Sequence, residues 1–143
     1  MAQVQDIAKY FLYLDDTNEG DGISNLKLQK LVYYAQGFFS ALFDKPLFDN
    51  PILAWRHGPV ITELYHAYKQ YGKNPIPLPA DFDASSLTKD EKELIGEVSQ
   101  EFGQFSAWKL RNMTHEETPW IDYEKEADTI PFDELTHYFK TRV

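Results

Sequence analysis

The sequence predicts a mainly α protein, a single compact helical domain of five to six helices with a small β-hairpin. Apolar residues recur at three- and four-residue steps along most of the chain, which is the spacing of one helical face. Strand-like segments are confined to one short stretch, residues 46–55. The chain has 143 residues, enough to bury a core without disulfides, and it contains no cysteine. We therefore expect residues 1–143 to form one domain.

The first two helices are predicted from their apolar faces. The first covers residues 4–14, and an acidic loop with two glycines follows it. The second and longest begins at Ser24, a suitable N-cap, and ends at about Phe43. Its stripe comprises Leu28, Leu31, Val32, Ala35, Phe38, Phe39 and Leu42. A stripe of about five turns is typical of the central helix of a small domain.

The remaining elements are predicted from turn and cap signals. Residues 47–48 and 52–54 are expected to form the hairpin, with the Asp49-Asn50-Pro51 turn between them. Pro59 is suited to open the next helix, and Gly72 to end it. Alternating prolines in residues 75–79 indicate an extended connection. Three more helices are predicted over residues 88–102, which starts with a Thr88/Glu91 capping box, 106–113 and 131–139.

Charge and composition exclude several classes of function. The formal net charge is -9, and only residues 24–72 carry more basic than acidic side chains. Such a surface repels phosphate backbones, which argues against direct nucleic-acid binding. No signal peptide and no apolar run of membrane-spanning length is visible. We expect a cytoplasmic protein without a membrane partner.

The sequence offers almost no enzyme chemistry. It contains no glycine-rich phosphate loop, no nucleophile elbow and no thiol, and its four histidines lack the spacing of a zinc protease. The prediction is therefore a protein that is not an enzyme and holds no cofactor or metal. One alternative stays open, a metal-dependent hydrolase or nuclease using a cluster of His57, His115 and Glu116.

Four ordered motifs resemble a known family. The run LKLQKLVYYAQG at residues 26–37 is similar to the signature helix of the Panacea domain, the antitoxin domain of SocA-like and phage-associated GepA-like proteins. KPLFD at residues 45–49, AWRHGPV at residues 54–60, and Thr114-His115 with Trp120 follow in order. The resemblance covers residues 6–139. The family commonly has tyrosine where this chain has His57.

The resemblance implies a helical antitoxin that binds and neutralises a cognate toxin encoded by the adjacent gene. One lineage of the family is thought to deliver its toxin to a protease, so a protease system is a further expected partner. An alternative of a different class is a protein adaptor, or a phage-related interaction protein, that binds another host component.

We predict that the partner binds where the polar edge of the long helix meets the Trp55–Pro59 turn. The candidate residues are Lys27, Lys30, Tyr34, Gln36, Trp55, Arg56, His57, His115 and Trp120. Arginine and aromatic side chains suit partner anchoring because they join a large contact area to directed hydrogen bonds. The same residues could instead form an internal polar network, covered by the C-terminal helices. An acidic row of Glu93, Glu97 and Glu101 is the second candidate surface.

Overall fold

The computed structural model describes all 143 residues, which form seven α-helices and one two-stranded antiparallel sheet. The elements are α1 Val4–Thr17, α2 Asn25–Phe43, β1 Leu53–Trp55, β2 Gly58–Val60, α3 Thr62–Tyr68, α4 Lys89–Phe102, α5 Ala107–Thr114, α6 Thr118–Ile121 and α7 Phe132–Lys140. Short 3-10 turns occupy Lys69–Tyr71 and Glu124–Glu126. None of the helices is both long and apolar enough to cross a membrane.

Helix α2 lies at the centre, as its apolar stripe predicts. The Ser24 hydroxyl accepts a hydrogen bond from the Lys27 amide and caps the first turn. The helix then contacts strand β2 and the helices α1, α3, α4, α5 and α7, and Leu31 near its middle is fully buried. The stripe is shorter than predicted at its C-terminal end, where Leu42 is 51% exposed and Phe38 is only partly buried. Thirty buried apolar residues form one continuous core around α2.

The hairpin lies later in the chain than the sequence predicts. Strands β1 and β2 pair Leu53 with Val60 and Trp55 with Gly58, and residues 56–57 form the hairpin turn. Residues 47–48 are buried but form no strand, because the side-chain amide of Gln36 bonds the Leu47 amide and the Phe48 carbonyl. The predicted turn at Asp49-Asn50-Pro51 therefore connects no strands.

The start of α3 also differs from the prediction. Pro59 was expected to open this helix, but it lies in β2 opposite Ala54, and α3 begins at Thr62. A two-stranded sheet has only edge strands, so it accepts a residue without an amide hydrogen. The carbonyl of Pro59 remains free to accept a bond from elsewhere, and Lys30 uses it.

The count of seven helices exceeds the predicted five to six because α6 has only four residues. One turn is too short for a periodic pattern to be recognised in a sequence. The caps of the other helices follow their sequence signals closely. Thr88 and Glu91 form the predicted capping box of α4, and the Ser106 hydroxyl caps α5.

Candidate functional site

Two glutamines of α2 hold the backbone on both sides of the hairpin. Gln36 accepts from the Leu47 amide at 2.7 Å and donates to the Phe48 carbonyl at 2.8 Å. Gln29 lies two turns earlier and accepts from the Ile61 amide at 2.8 Å. Each amide replaces the strand partner that these irregular segments lack. The hairpin is thereby fixed to the central helix at its beginning and its end.

Lys30 lies between these glutamines and is completely buried beneath the hairpin. Its Nζ donates to the Pro59 carbonyl at 2.8 Å. Burial, with a smaller contribution from the nearby Arg111 charge, lowers the pKa of Lys30 to about 7. Gly58 makes room for this side chain. It has φ +106°, and a Cβ at this position would lie 2.7 Å from Lys30 Cε and 2.8 Å from Thr114 Oγ1.

The hairpin turn exposes Arg56 and His57 beside helix α5. The His57 ring lies 6.0 Å from the ring of Trp108, and the Arg111 guanidinium carbon lies 4.4 Å from the same indole. Trp108 is 55% exposed, so this stack faces solvent. We call the surface formed by Arg56, His57, Trp108 and Arg111 the turn surface.

The turn surface is positively charged and has no acidic counterpart. Partial burial lowers the pKa of His57, and the charges of Arg111, Arg56 and Lys30 lower it further. The three ion pairs of the structure lie elsewhere. Arg111 Nε and Nε2 of the neighbouring His115 are buried without a hydrogen-bond partner in the protein. Unpaired cations and buried unsatisfied polar atoms are uncommon in folded proteins and are more frequent at functional sites.

A groove adjoins the turn surface, between the hairpin and α3. Its volume is about 410 Å³. Trp55, Val60 and Tyr65 provide apolar wall, with the Trp55 and Tyr65 rings in edge contact at 5.1 Å. Lys69 and Lys73 stand at its rim, with Arg56 and His57 at the hairpin end and Lys30 beneath. No aspartate or glutamate lines this basic groove.

A second polar centre lies inside the protein, around Glu117. Its carboxylate accepts from the Tyr33 hydroxyl at 2.8 Å, the Tyr34 hydroxyl at 2.7 Å and Arg142 Nη1 at 2.9 Å. Burial raises the pKa of Glu117, although these hydrogen bonds oppose the shift. Tyr34 also stacks on Phe102 with centroids 4.2 Å apart. The network joins α2 to the loop before α6 and to the segment after α7.

The structure separates the nine predicted partner-binding residues into four groups. Lys30, Tyr34 and Gln36 are buried, which corresponds to the internal polar network that the sequence left open. Trp55, His115 and Trp120 are partly buried and contact one another, since Trp120 Nε1 donates to the Trp55 carbonyl and His115 stacks on Trp120 at 3.8 Å. Lys27 donates to the Gly103 carbonyl at the end of α4. Arg56 and His57 are the exposed members.

Sequence reasoning missed four residues of these two centres. Trp108 and Arg111 are three residues apart on a short helix, a spacing that places them on one face and could have indicated the stack. Glu117 and Arg142 had no such local signal, because their partners lie far away in the chain. His57 and His115 do share one region, but no group of three metal-ligating side chains is assembled.

One family of known proteins matches about two thirds of the chain. The family described as Antitoxin SocA-like, Panacea domain, matches residues 28–121, which run from α2 to the end of α6. The chain belongs to this family. The match includes the turn surface and Glu117, whereas the groove-lining residues Asn25 and Leu26 and the Glu117 partner Arg142 lie outside the matched range.

The Panacea domain also has a curated relative over part of its length. It is 42% identical to "Antitoxin SocA" of Caulobacter vibrioides (strain NA1000 / CB15N) over 54 residues. The aligned part is 38% of this chain and 29% of that antitoxin, so the chain spans less than a third of the relative that it matches. No solved structure matches the chain.

Proposed function

We propose that this Panacea domain neutralises a cognate toxin by direct protein–protein binding, without catalysis, in the cytoplasm. The observation that carries the proposal is the turn surface, where Arg56, His57, Trp108 and Arg111 are displayed on a backbone anchored to α2. Arginine and tryptophan are the residues most enriched among interface anchors. Membership of an antitoxin family supports a toxin as the partner.

The anchoring of the hairpin explains how such a surface can bind without a large loss of conformational entropy. Gln29, Gln36 and Lys30 fix the main chain of the hairpin before any partner arrives. A surface that is already ordered loses little conformational freedom on binding. In this proposal the buried candidate residues support the interface, and the exposed ones contact the partner.

Co-expression with the protein encoded by the adjacent gene tests the proposal. We expect the double variant Arg56→Ala/His57→Ala to lose rescue and pull-down of that protein while keeping the melting temperature of the parent. Lys89→Ala is the matched control, because Lys89 is an exposed base on α4, far along the chain from the turn surface. Full rescue by a stable double variant would contradict the assignment of this surface. Delivery of the toxin to a protease remains a separate prediction.

A further inference from the structure

The basic groove combines two features that suit a ligand with both an apolar and an anionic group. Its walls are apolar and aromatic, provided by Trp55, Val60 and Tyr65. Its rim carries Arg56, Lys69 and Lys73, and no acidic side chain lines it. The whole chain has a net charge of -9, so this concentration of positive charge runs against the average. Single-sign charge in a concave, low-dielectric site concentrates ligands of opposite sign.

The positive charge of the groove is not used within the protein. The rim cations are available to a ligand, since the three ion pairs of the structure involve other bases. Lys30 lies fully buried below them and donates to the Pro59 carbonyl. A carboxylate entering beside Arg56 would therefore meet charge that no side chain of the protein neutralises.

The size and surroundings of the groove favour a short peptide over a nucleic acid. A volume of about 410 Å³ accommodates a few side chains. A nucleic-acid strand needs a basic track that continues along its backbone, and the acidic remainder of this chain opposes one. A peptide needs only one or two carboxylates at the rim and an apolar side chain against the Trp55 and Tyr65 rings.

We propose that the basic groove binds a short acidic segment of the partner protein, in which a carboxylate lies next to an apolar side chain. This inference rests on the proposed function, because it names the chemistry of the partner segment that binds beside the turn surface. The groove continues from the turn surface through Arg56 and His57, so one partner can occupy both.

Peptide titration of the isotopically labelled full chain, followed by NMR, tests the groove without a toxin. The probe is a synthetic peptide of glutamate and leucine, and its control has glutamine in place of every glutamate. We expect the glutamate peptide to shift the Trp55 indole and Val60 methyl signals, and the glutamine peptide to bind at least about tenfold more weakly. Affinity should fall as salt is raised.

Charge reversal locates the site. Lys69→Glu/Lys73→Glu should lower the affinity for the glutamate peptide by about tenfold. The control Lys89→Glu/Lys125→Glu reverses two exposed charges outside the groove and should leave this affinity unchanged. Equal binding of both peptides, no binding, or loss with the control pair would overturn the inference. Tighter binding of oligothymidylate than of the glutamate peptide would overturn it in favour of nucleic acid.

The two proposals fail in different ways. If the toxin binds the parent and the Lys69→Glu/Lys73→Glu variant with equal affinity, the groove inference is wrong and the proposed function stands. If the glutamate peptide binds the groove but the product of the adjacent gene binds neither protein, the proposed toxin partner is wrong. Weakened toxin binding by this variant, with unchanged melting temperature, would support both.

Discussion

Two buried ionisable side chains differ in how well their surroundings satisfy them. Lys30 belongs to α2, and Glu117 lies just before α6 and bonds to tyrosines of α2. The Glu117 carboxylate accepts hydrogen bonds from two tyrosines and an arginine, so every charge around it has a partner. The Lys30 amine has one carbonyl acceptor, and the charge that acts on it is that of Arg111, a second cation. A satisfied network of the first kind stabilises one arrangement of the chain, whereas an incompletely paired charge next to a surface is typical of a functional site.

The comparison also separates the parts of the molecule that each centre holds together. Glu117 connects α2 to Arg142, and so ties the end of the chain to the core. Lys30 connects α2 to the hairpin that displays Arg56 and His57. Loss of the first centre should therefore be observed as lost stability, and changes at the second as altered binding or pH dependence.

The largest effect is expected for Glu117→Ala. This change leaves the Tyr33 and Tyr34 hydroxyls and Arg142 without their acceptor, and the two tyrosines are buried. Removing one partner of a buried charged network typically costs about 3–5 kcal/mol of unfolding free energy. Denaturant unfolding measures it, with the exposed neighbour Glu116→Ala as control. A loss below about 1 kcal/mol would show that the network contributes little to stability.

Gly58→Ala should cause the next largest loss of stability, because it disturbs the contact between the hairpin and Lys30 of α2. The substitution places a Cβ at 2.7 Å from Lys30 Cε and forces alanine into φ +106°. Backbone strain of this kind costs about 1–3 kcal/mol, before the clash is counted. Gly96→Ala is the control in α4, where a Cβ meets nothing within 4 Å. It should instead stabilise the protein by about 0.5–1 kcal/mol. Equal effects of the two changes on the melting temperature would contradict this assignment.

The lowered pKa of Lys30 predicts that the stability of the protein depends on pH. Its pKa is about 7 in the folded protein against the ordinary value of 10.5, so between these values the unfolded chain holds a proton that the folded protein has released. The free energy of unfolding should therefore rise with pH, by about 1.4 kcal/mol per pH unit at most. Comparison with Lys30→Met isolates this contribution, because the other titrating groups are shared.

Urea unfolding of both proteins at pH 7, 8 and 9 checks the sign. The parent should gain stability relative to Lys30→Met as pH rises, because the cost of burying an ammonium disappears. The opposite slope, or two parallel curves, would mean that Lys30 remains charged in the folded protein and has a counter-charge.

Sequence reasoning worked where the deciding contacts are local. Ser24 and Thr88 cap their helices through bonds to residues three positions on, and the stripe of α2 needs only helical spacing. The hairpin was misplaced because Gln36, from another element, takes the backbone groups of residues 47 and 48. Tertiary partners of this kind override local strand and turn signals.

The same distinction explains the candidate site. Arg56 and His57 are predicted from their unusual turn motif, which is contiguous in sequence, and both are exposed. The acceptor of Lys30 lies 29 residues away, and the tyrosine partners of Glu117 lie 83 and 84 residues away. No pattern within one segment could assign these side chains to the interior. Polar residues on a central helix are therefore the positions where sequence alone leaves burial undecided.

The smallest effect on stability, and the sharpest test of the contrast, is expected for Trp108→Ala. Trp108 is 55% exposed and its main specific contact is the Arg111 guanidinium at 4.4 Å. An exposed cation–π pair contributes about 0.5–1 kcal/mol, so the melting temperature should hardly change. The affinity for the partner should nevertheless fall by about tenfold, because a solvent-facing tryptophan stacked on arginine is typical of an interface anchor. Isothermal titration with the partner measures this, and Ile121→Ala, another exposed apolar residue at 45%, is the control. If Trp108→Ala instead unfolds the protein like Glu117→Ala, the turn surface is part of the structural core and the functional distinction between the two centres fails.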